Sequence, residues 1–110
     1  MYHFVYTYRH VDFSKLTGFE WDEGNLKKIL KRMEASIAEM AFQGEPWVAL
    51  SKKLLGSEER WFLINKVTEK YVFIVFTVRK NKIRIISARY MHQKEVRYYE
   101  EKIQQENHGK

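Results

Sequence analysis

Between residues 60 and 90 the apolar positions come in three bursts, each the length of a strand and each set off by two or three polar residues. Residues 60–66, 71–79 and 83–90 are predicted strands. Thr68-Glu69-Lys70 and Lys80-Asn81-Lys82 are short enough to be hairpin turns, so the three strands should form an antiparallel meander. The middle one, Tyr71-Val72-Phe73-Ile74-Val75-Phe76, is apolar at both parities, which predicts a central strand. Before the meander the period changes. Leu26, Ile29, Leu30 and Met33 fall at i, i+3, i+4 and i+7, one face of a helix that Asp22 can cap. A second helix is expected from Ser36, with Glu39 completing a capping box, and should end near Gly44 before Pro46. Residues 47–56 fit either a short strand or a helical turn. After the meander, Val96, Tyr99 and Ile103 share one face of a closing helix over 92–105.

At the N-terminus Tyr2, Phe4, Tyr6 and Tyr8 alternate with His3, Val5 and Thr7, the period of a strand. Residues 11–18 read as a connection, and Phe19-Glu20-Trp21 as a short second strand or an extended entry. The division that follows is an N-terminal extension over 1–18, one domain over 19–106, and a fraying tail over 107–110. The fold class is α+β: N-terminal helices packed on an antiparallel meander, with a closing C-terminal helix.

Composition narrows the function more than the fold. A chain of 110 residues with 45% apolar content can build one core and not two. It has no cysteine, so thiolate zinc sites and disulfides are excluded, and its four histidines are too scattered to read as metal ligands. Neither a phosphate-cradling glycine loop nor a dinucleotide fingerprint occurs, so no small-molecule cofactor is expected. No apolar run approaches the roughly 20 residues that span a bilayer, and the N-terminus does not resemble a signal peptide. A cytoplasmic protein is the expectation.

Charge is unevenly placed. Residues 1–58 carry eight Lys/Arg and eight Asp/Glu, so the whole net charge of +6 lies in 59–110. Within 79–97 stand Arg79, Lys80, Lys82, Arg84, Arg89, Lys94 and Arg97, against Glu95 alone. Such a patch suits a polyanion, although a solvated basic face gives the same count. The stretch Arg84-Ile85-Ile86-Ser87-Ala88-Arg89 sharpens the choice, because a guanidinium in a strand must stay solvated or paired. In a regular strand Arg84 and Arg89 would point to opposite faces.

Several segments together resemble the BrnT toxins of type II toxin–antitoxin systems. They are Phe19-Glu20-Trp21-Asp22-Glu23, Glu59-Arg60, Thr77 with Arg79, Arg84 to Arg89, Lys94-Glu95 and Tyr98-Tyr99, in that order. The resemblance implies a RelE-like fold, a ribonuclease acting on RNA, and a partner antitoxin with a ribbon-helix-helix DNA-binding domain. This chain departs from the family at the first helix, where Ile29 and Arg32-Met33-Glu34 replace an asparagine and a Lys-His-Gly.

A ribonuclease without a metal must activate the ribose 2′-OH, stabilise charge on the phosphate and help the 5′-oxygen leave. Arginine suits the second task, since its planar fork holds two phosphate oxygens and stays charged. Such a preorganised donor supplies on the order of 3–4 kcal/mol. The candidate catalytic residues are Arg60, Arg79, Arg89, Lys94 and Tyr99, and the candidate RNA-binding residues are Trp21, Arg84, His92 and Arg97. Each has a plainer reading. Tyr99 stands at core spacing with Val96 and Ile103, His92 can be a helix cap, and Trp21 can anchor the first helix instead of stacking on a base. Under these plainer readings the chain is a non-catalytic, degenerate toxin-like module that binds an antitoxin or RNA.

Overall fold

A computed structural model describes residues 13–51 and 58–108 of the chain. The Tyr2–Tyr8 alternation lies outside the described residues. Phe13–Lys15 form one turn of 3-10 helix. Then follow α1 (Glu23–Leu30), α2 (Ala35–Met40), β1 (Trp47–Leu50), β2 (Trp61–Val67), β3 (Lys70–Arg79), β4 (Lys82–Tyr90) and α3 (Gln93–His108). The strands form one antiparallel sheet in the order β1-β2-β3-β4. This is the α+β architecture expected, with one strand more than the meander. That strand, β1, comes from the stretch over 47–56 whose pattern was ambiguous.

Both hairpins close on two residues with positive φ: Thr68 (44°) with Glu69 (74°), and Lys80 (50°) with Asn81 (65°). That pairing matches the right-handed twist of the flanking strands. Strand β3 lies inside the sheet, as its two apolar faces predict. One of those faces carries Val72, Ile74 and Phe76, all fully buried beside Leu63, Ile85 and Val48. It is covered by Ile29 of α1, Met33 of the link that follows, Ala38 of α2 and Ala41 at that helix's end, so the expected apolar face of the first helix outlasts the helix itself. Phe42 fills the gap between the helices and the strands, with its ring edge-on to Phe76 at 5.0 Å and to Phe19 at 5.2 Å.

Helix α1 begins as expected. Asp22 accepts from the Asn25 backbone N–H (3.2 Å), and the Asn25 side chain accepts from the Asp22 N–H (2.8 Å), a reciprocal box with asparagine in the usual glutamate place. The Asn25 amide also donates to the carbonyls of Glu20 (3.0 Å) and Ile85 (3.1 Å), so this buried side chain ties the helix start to β4. Leu30 is the exception on that face: it ends the helix and stands 54% exposed. The expected box at Ser36 and Glu39 does not form. Helix α2 starts one residue earlier, its N-cap Glu34 makes no side-chain cap bond, and Glu39 accepts from the Trp21 indole N–H at 2.7 Å. A long-range partner outcompetes the local one.

Of the two forms expected for Phe19-Glu20-Trp21, the structure has the extended entry and not the strand. Phe19 makes a single parallel bridge to Ile83, and residues 17–20 run along the outer edge of β4, with Ile83 N–H donating to Gly18 and Glu20 N–H to Ile83 (both 2.8 Å). They cover part of an edge that would otherwise offer unpaired backbone groups. At the other end α3 runs past the expected 105, so Asn107 and His108 are helical.

Candidate functional site

The second face of the sheet is set by an irregularity in β4. Val75 pairs with Ser87 but Phe76 pairs with Ile85, so Ile86 is an extra residue in the ladder. A bulge of this kind shifts the alternation by one position. Before it Ile83 and Ile85 face the core, and after it Ala88 does. Arg84 and Arg89 therefore lie on the same face, opposite to α1 and α2, and not on opposite faces as a regular strand would put them.

Cross-strand rows describe this face. Trp47, Ile64, Phe73 and Arg89 stand side by side across all four strands, and Ala49, Phe62, Val75 and Ser87 form the next row. Thr77 pairs with Arg84 in the row after that, and Arg79 with Lys82 in the last. Arg60 continues β2 by one residue, its carbonyl accepting from the Ser51 N–H at 2.8 Å, which gives it the parity of Phe62. Arg60 and Arg84 are about 13 Å from the aromatic row, two steps of roughly 6.7 Å each, and Arg79 is one step farther, at about 20 Å.

Helix α3 rests on the aromatic end. Tyr99 packs edge-on to Tyr71 at 5.6 Å and to Trp47 at 6.0 Å, and Tyr71 donates its hydroxyl to Glu100 at 3.1 Å. Burial, and then the Glu100 carboxylate, push the Tyr71 phenol up from its ordinary value. Between α3 and the sheet remains a cleft of about 450 Å³, walled by Trp47, Ile64, Phe73 and Tyr99, with Arg89 and Lys94 at its rim.

The cations are mostly paired. Arg89 donates from both terminal nitrogens to Glu95, at 2.7 and 2.8 Å, and its guanidinium lies 5.1 Å from the centre of the Phe73 ring. Glu95 also accepts the His92 backbone N–H at 2.8 Å, which caps α3. Arg84 makes the same two-pronged contact with Asp22, at 2.8 and 3.1 Å. So β4 fastens the starts of α1 and α3 through one carboxylate each. Arg79 donates to Glu58 at 2.7 Å, and Thr77 to the Glu59 carbonyl at 2.6 Å. Arg60 differs: its Nε is buried and has no hydrogen-bond partner among the described residues.

These contacts set the titrations. The Arg84 guanidinium, and then the Asn25 N–H, hold Asp22 below the usual carboxylate range. Arg89, and then the His92 N–H, bring Glu95 from its ordinary 4.5 down to about 2. A lowered folded-state value means that this contribution to stability is complete above about pH 4.5 and is lost as the pH falls through about 2. Glu95→Gln should therefore flatten the acid limb of stability between those values, read as urea midpoints across the pH series. Equal acid limbs in both proteins would show that Arg89 does not hold this carboxylate.

The structure gathers Arg89, Lys94 and Tyr99 around the cleft and places Arg60, Arg79 and Arg84 farther along the same face. His92 is exposed at the start of α3, and Arg97 is exposed on that helix. Trp21 sits on the other face, packed against the core and bonded to Glu39. Sequence reasoning missed Trp47, Phe62 and Phe73 as parts of the site. Their signal is the second apolar face of the strands, which in sequence looks the same as burial. Among the described residues no cluster of His, Asp and Glu could hold a metal ion, and no helix is long and apolar enough to cross a membrane.

The family model described as ribonuclease toxin, BrnT, of type II toxin-antitoxin system matches residues 21–95. Neither the curated proteins nor the solved structures give a significant match.

Proposed function

This chain belongs to the BrnT family of ribonuclease toxins of type II toxin–antitoxin systems, and from that premise we propose that it cleaves RNA on the second sheet face, with arginines instead of a metal ion. The observation that carries this reading is the bulge at Ile86, which puts Arg89 on the face that also carries Arg60, Arg79 and Arg84, continuous with the α3 cleft. An RNA backbone laid along the strands, across the rows, meets cationic side chains at both ends of that face.

Arg89 and Lys94 are assigned to the scissile phosphate, and Arg60, Arg79 and Arg84 to phosphates farther along the chain. Arg97 and His92 extend the contact from α3, and Tyr99 carries a proton in the cleft. Trp21, on the other face, has no place in this site. Guanidinium groups fixed by the sheet stabilise charge as it builds on the phosphate, and they do not have to reorganise to do so. The ribose 2′-OH passes its proton to solvent as it attacks the phosphorus, Tyr99 gives its hydroxyl proton to the leaving 5′-oxygen and regains one from water, and the products carry 2′,3′-cyclic phosphate and 5′-hydroxyl ends.

Membership of the family implies an antitoxin partner as well as an RNA substrate. The ribbon-helix-helix architecture of that antitoxin is proposed on the motif resemblance alone. A second reading, a toxin-like module that binds without cutting, is favoured by the ion pairs that already neutralise Arg79, Arg84 and Arg89.

The test is incubation of the purified, antitoxin-free protein with RNA in excess chelator. Cleavage with cyclic-phosphate ends is expected, at the rate seen without chelator. Cleavage that stops with chelator refutes the arginine mechanism, and salt-sensitive binding without any cleavage favours the second reading.

A further inference from the structure

We infer that the cleft under α3 is a subsite for one unpaired nucleobase, with Trp47 as the residue that determines its occupancy, so the substrate is single-stranded RNA. This deepens the RNA reading above and rests on it.

The cleft has the chemistry of a nucleotide turned inside out. Its interior is apolar and largely aromatic: Trp47 and Phe73 rise from the sheet in one row, and Tyr99 comes down from α3. The Arg89 guanidinium already lies over the Phe73 ring, a second flat surface beside the aromatic ones. Three cations, Arg89, Lys94 and Lys102, also line the cleft, against Glu95, which is bonded to Arg89. A flat apolar group flanked by an anion satisfies both parts. An aliphatic chain would fill the interior but has no use for three cations.

Size and access agree. About 450 Å³ is within the range of small-ligand sites, enough for a base with its ribose. A base held in a duplex has its flat faces covered by its stacked neighbours, so aromatic walls cannot take hold of it. An unstacked base can enter, and aromatic side chains are the common means of holding one. Continuity with the arginine rows gives the phosphates on either side of that base a path along the sheet.

Trp47 is the discriminating wall. It lies on the edge strand β1, half-buried, while Phe73 lies on an interior strand. Stacking on such a side chain is worth about 1–3 kcal/mol per base, which is about 5- to 150-fold in affinity.

The experiment pairs substrate and protein variants. A single-stranded RNA cut at one position is compared with copies carrying one abasic nucleotide at each flanking position. Wild-type protein is compared with Trp47→Leu and Trp47→Phe, all three checked for matching melting temperatures. One abasic position should lower wild-type kcat/KM at least ten-fold. Trp47→Leu should lose a similar factor on intact RNA and nothing more at that abasic position, while Trp47→Phe keeps most of the wild-type discrimination. Duplex RNA of the same sequence should resist cleavage. Three results overturn the inference and leave the ribonuclease reading intact: equal abasic losses in wild type and Trp47→Leu, no abasic loss anywhere, or a Trp47→Leu protein that cuts RNA normally but fails to bind antitoxin. If the wild type cuts no RNA at all, the ribonuclease reading falls and this inference falls with it.

Discussion

Arg89→Ala should lower RNA cleavage by about 100- to 1,000-fold, the effect of removing one preorganised donor from a developing anion. The fold should survive the change. Glu95, the partner left behind, has a side chain 38% exposed, so water can replace the lost contact. The comparison that isolates the mechanism is Glu95→Gln. In the resting protein Glu95 occupies both prongs of the Arg89 fork, and a phosphate must displace it. Removing its charge should tighten RNA binding while Arg89→Ala weakens it. Arg89→Lys should not restore full activity, because an ammonium cannot reproduce the two-pronged contact. The readouts are kcat/KM on one RNA and the melting temperature of each variant. An Arg89→Ala protein that cleaves within a few-fold of wild type would mean that Arg89 serves only to fasten α3 to β4.

The largest effect on stability is expected at Phe76. Its side chain is fully buried between Trp61 and Ile85 on the neighbouring strands, with the Phe42 ring against its face. Phe76→Ala removes that ring and leaves a cavity that strands on both sides keep from collapsing. The cost is about 3–5 kcal/mol, much or all of the stability of a domain this small. Denaturant unfolding should show a lower midpoint with an unchanged slope. A loss under about 1 kcal/mol would show that the Phe42 cluster can close over the gap.

Local chemistry was the part of this fold that its sequence displayed best. Asp22 marks a helix start because the cap bond spans three residues, and the paired polar residues at 68–69 and 80–81 mark hairpins because so few residues can turn a strand. Features decided between distant residues were hidden. Ser36 and Glu39 have the right spacing for a box, yet Glu39 is claimed by Trp21, 18 residues away in sequence. Asn25 looks like an ordinary polar helix residue until the Ile85 carbonyl is beside it.

The site was legible in its residue types and not in its geometry. Arg60, Arg79 and Arg89 stood out as cations among apolar strand positions, and all three do share a face. The carboxylate partners of Arg79 and Arg84 were less evident, since Glu58 and Asp22 lie 21 and 62 residues away from them. The aromatic walls were hidden for a different reason. A strand that is apolar on both sides looks the same whether its second side is covered or open.

The extra residue at Ile86 has a consequence for the length of the chain. Alternation along a strand is a two-state phase, and the extra residue absorbs the odd step between Ile85 and Ala88, whose partners Phe76 and Ile74 are only two apart. A chain lacking Ile86 would keep Ile85 opposite Phe76 and Ser87 opposite Val75 in a ladder without the bulge, and Arg89 would stay on its present face. The full-length chain has no such freedom: straightened with Ile86 in the ladder, it would carry Arg89 toward the packed side, where an unpaired charge is costly. Glu95 would then lose the partner that holds the start of α3. In this segment a shorter strand and a bulged one present the same face, and the bulge is what lets the longer one do so.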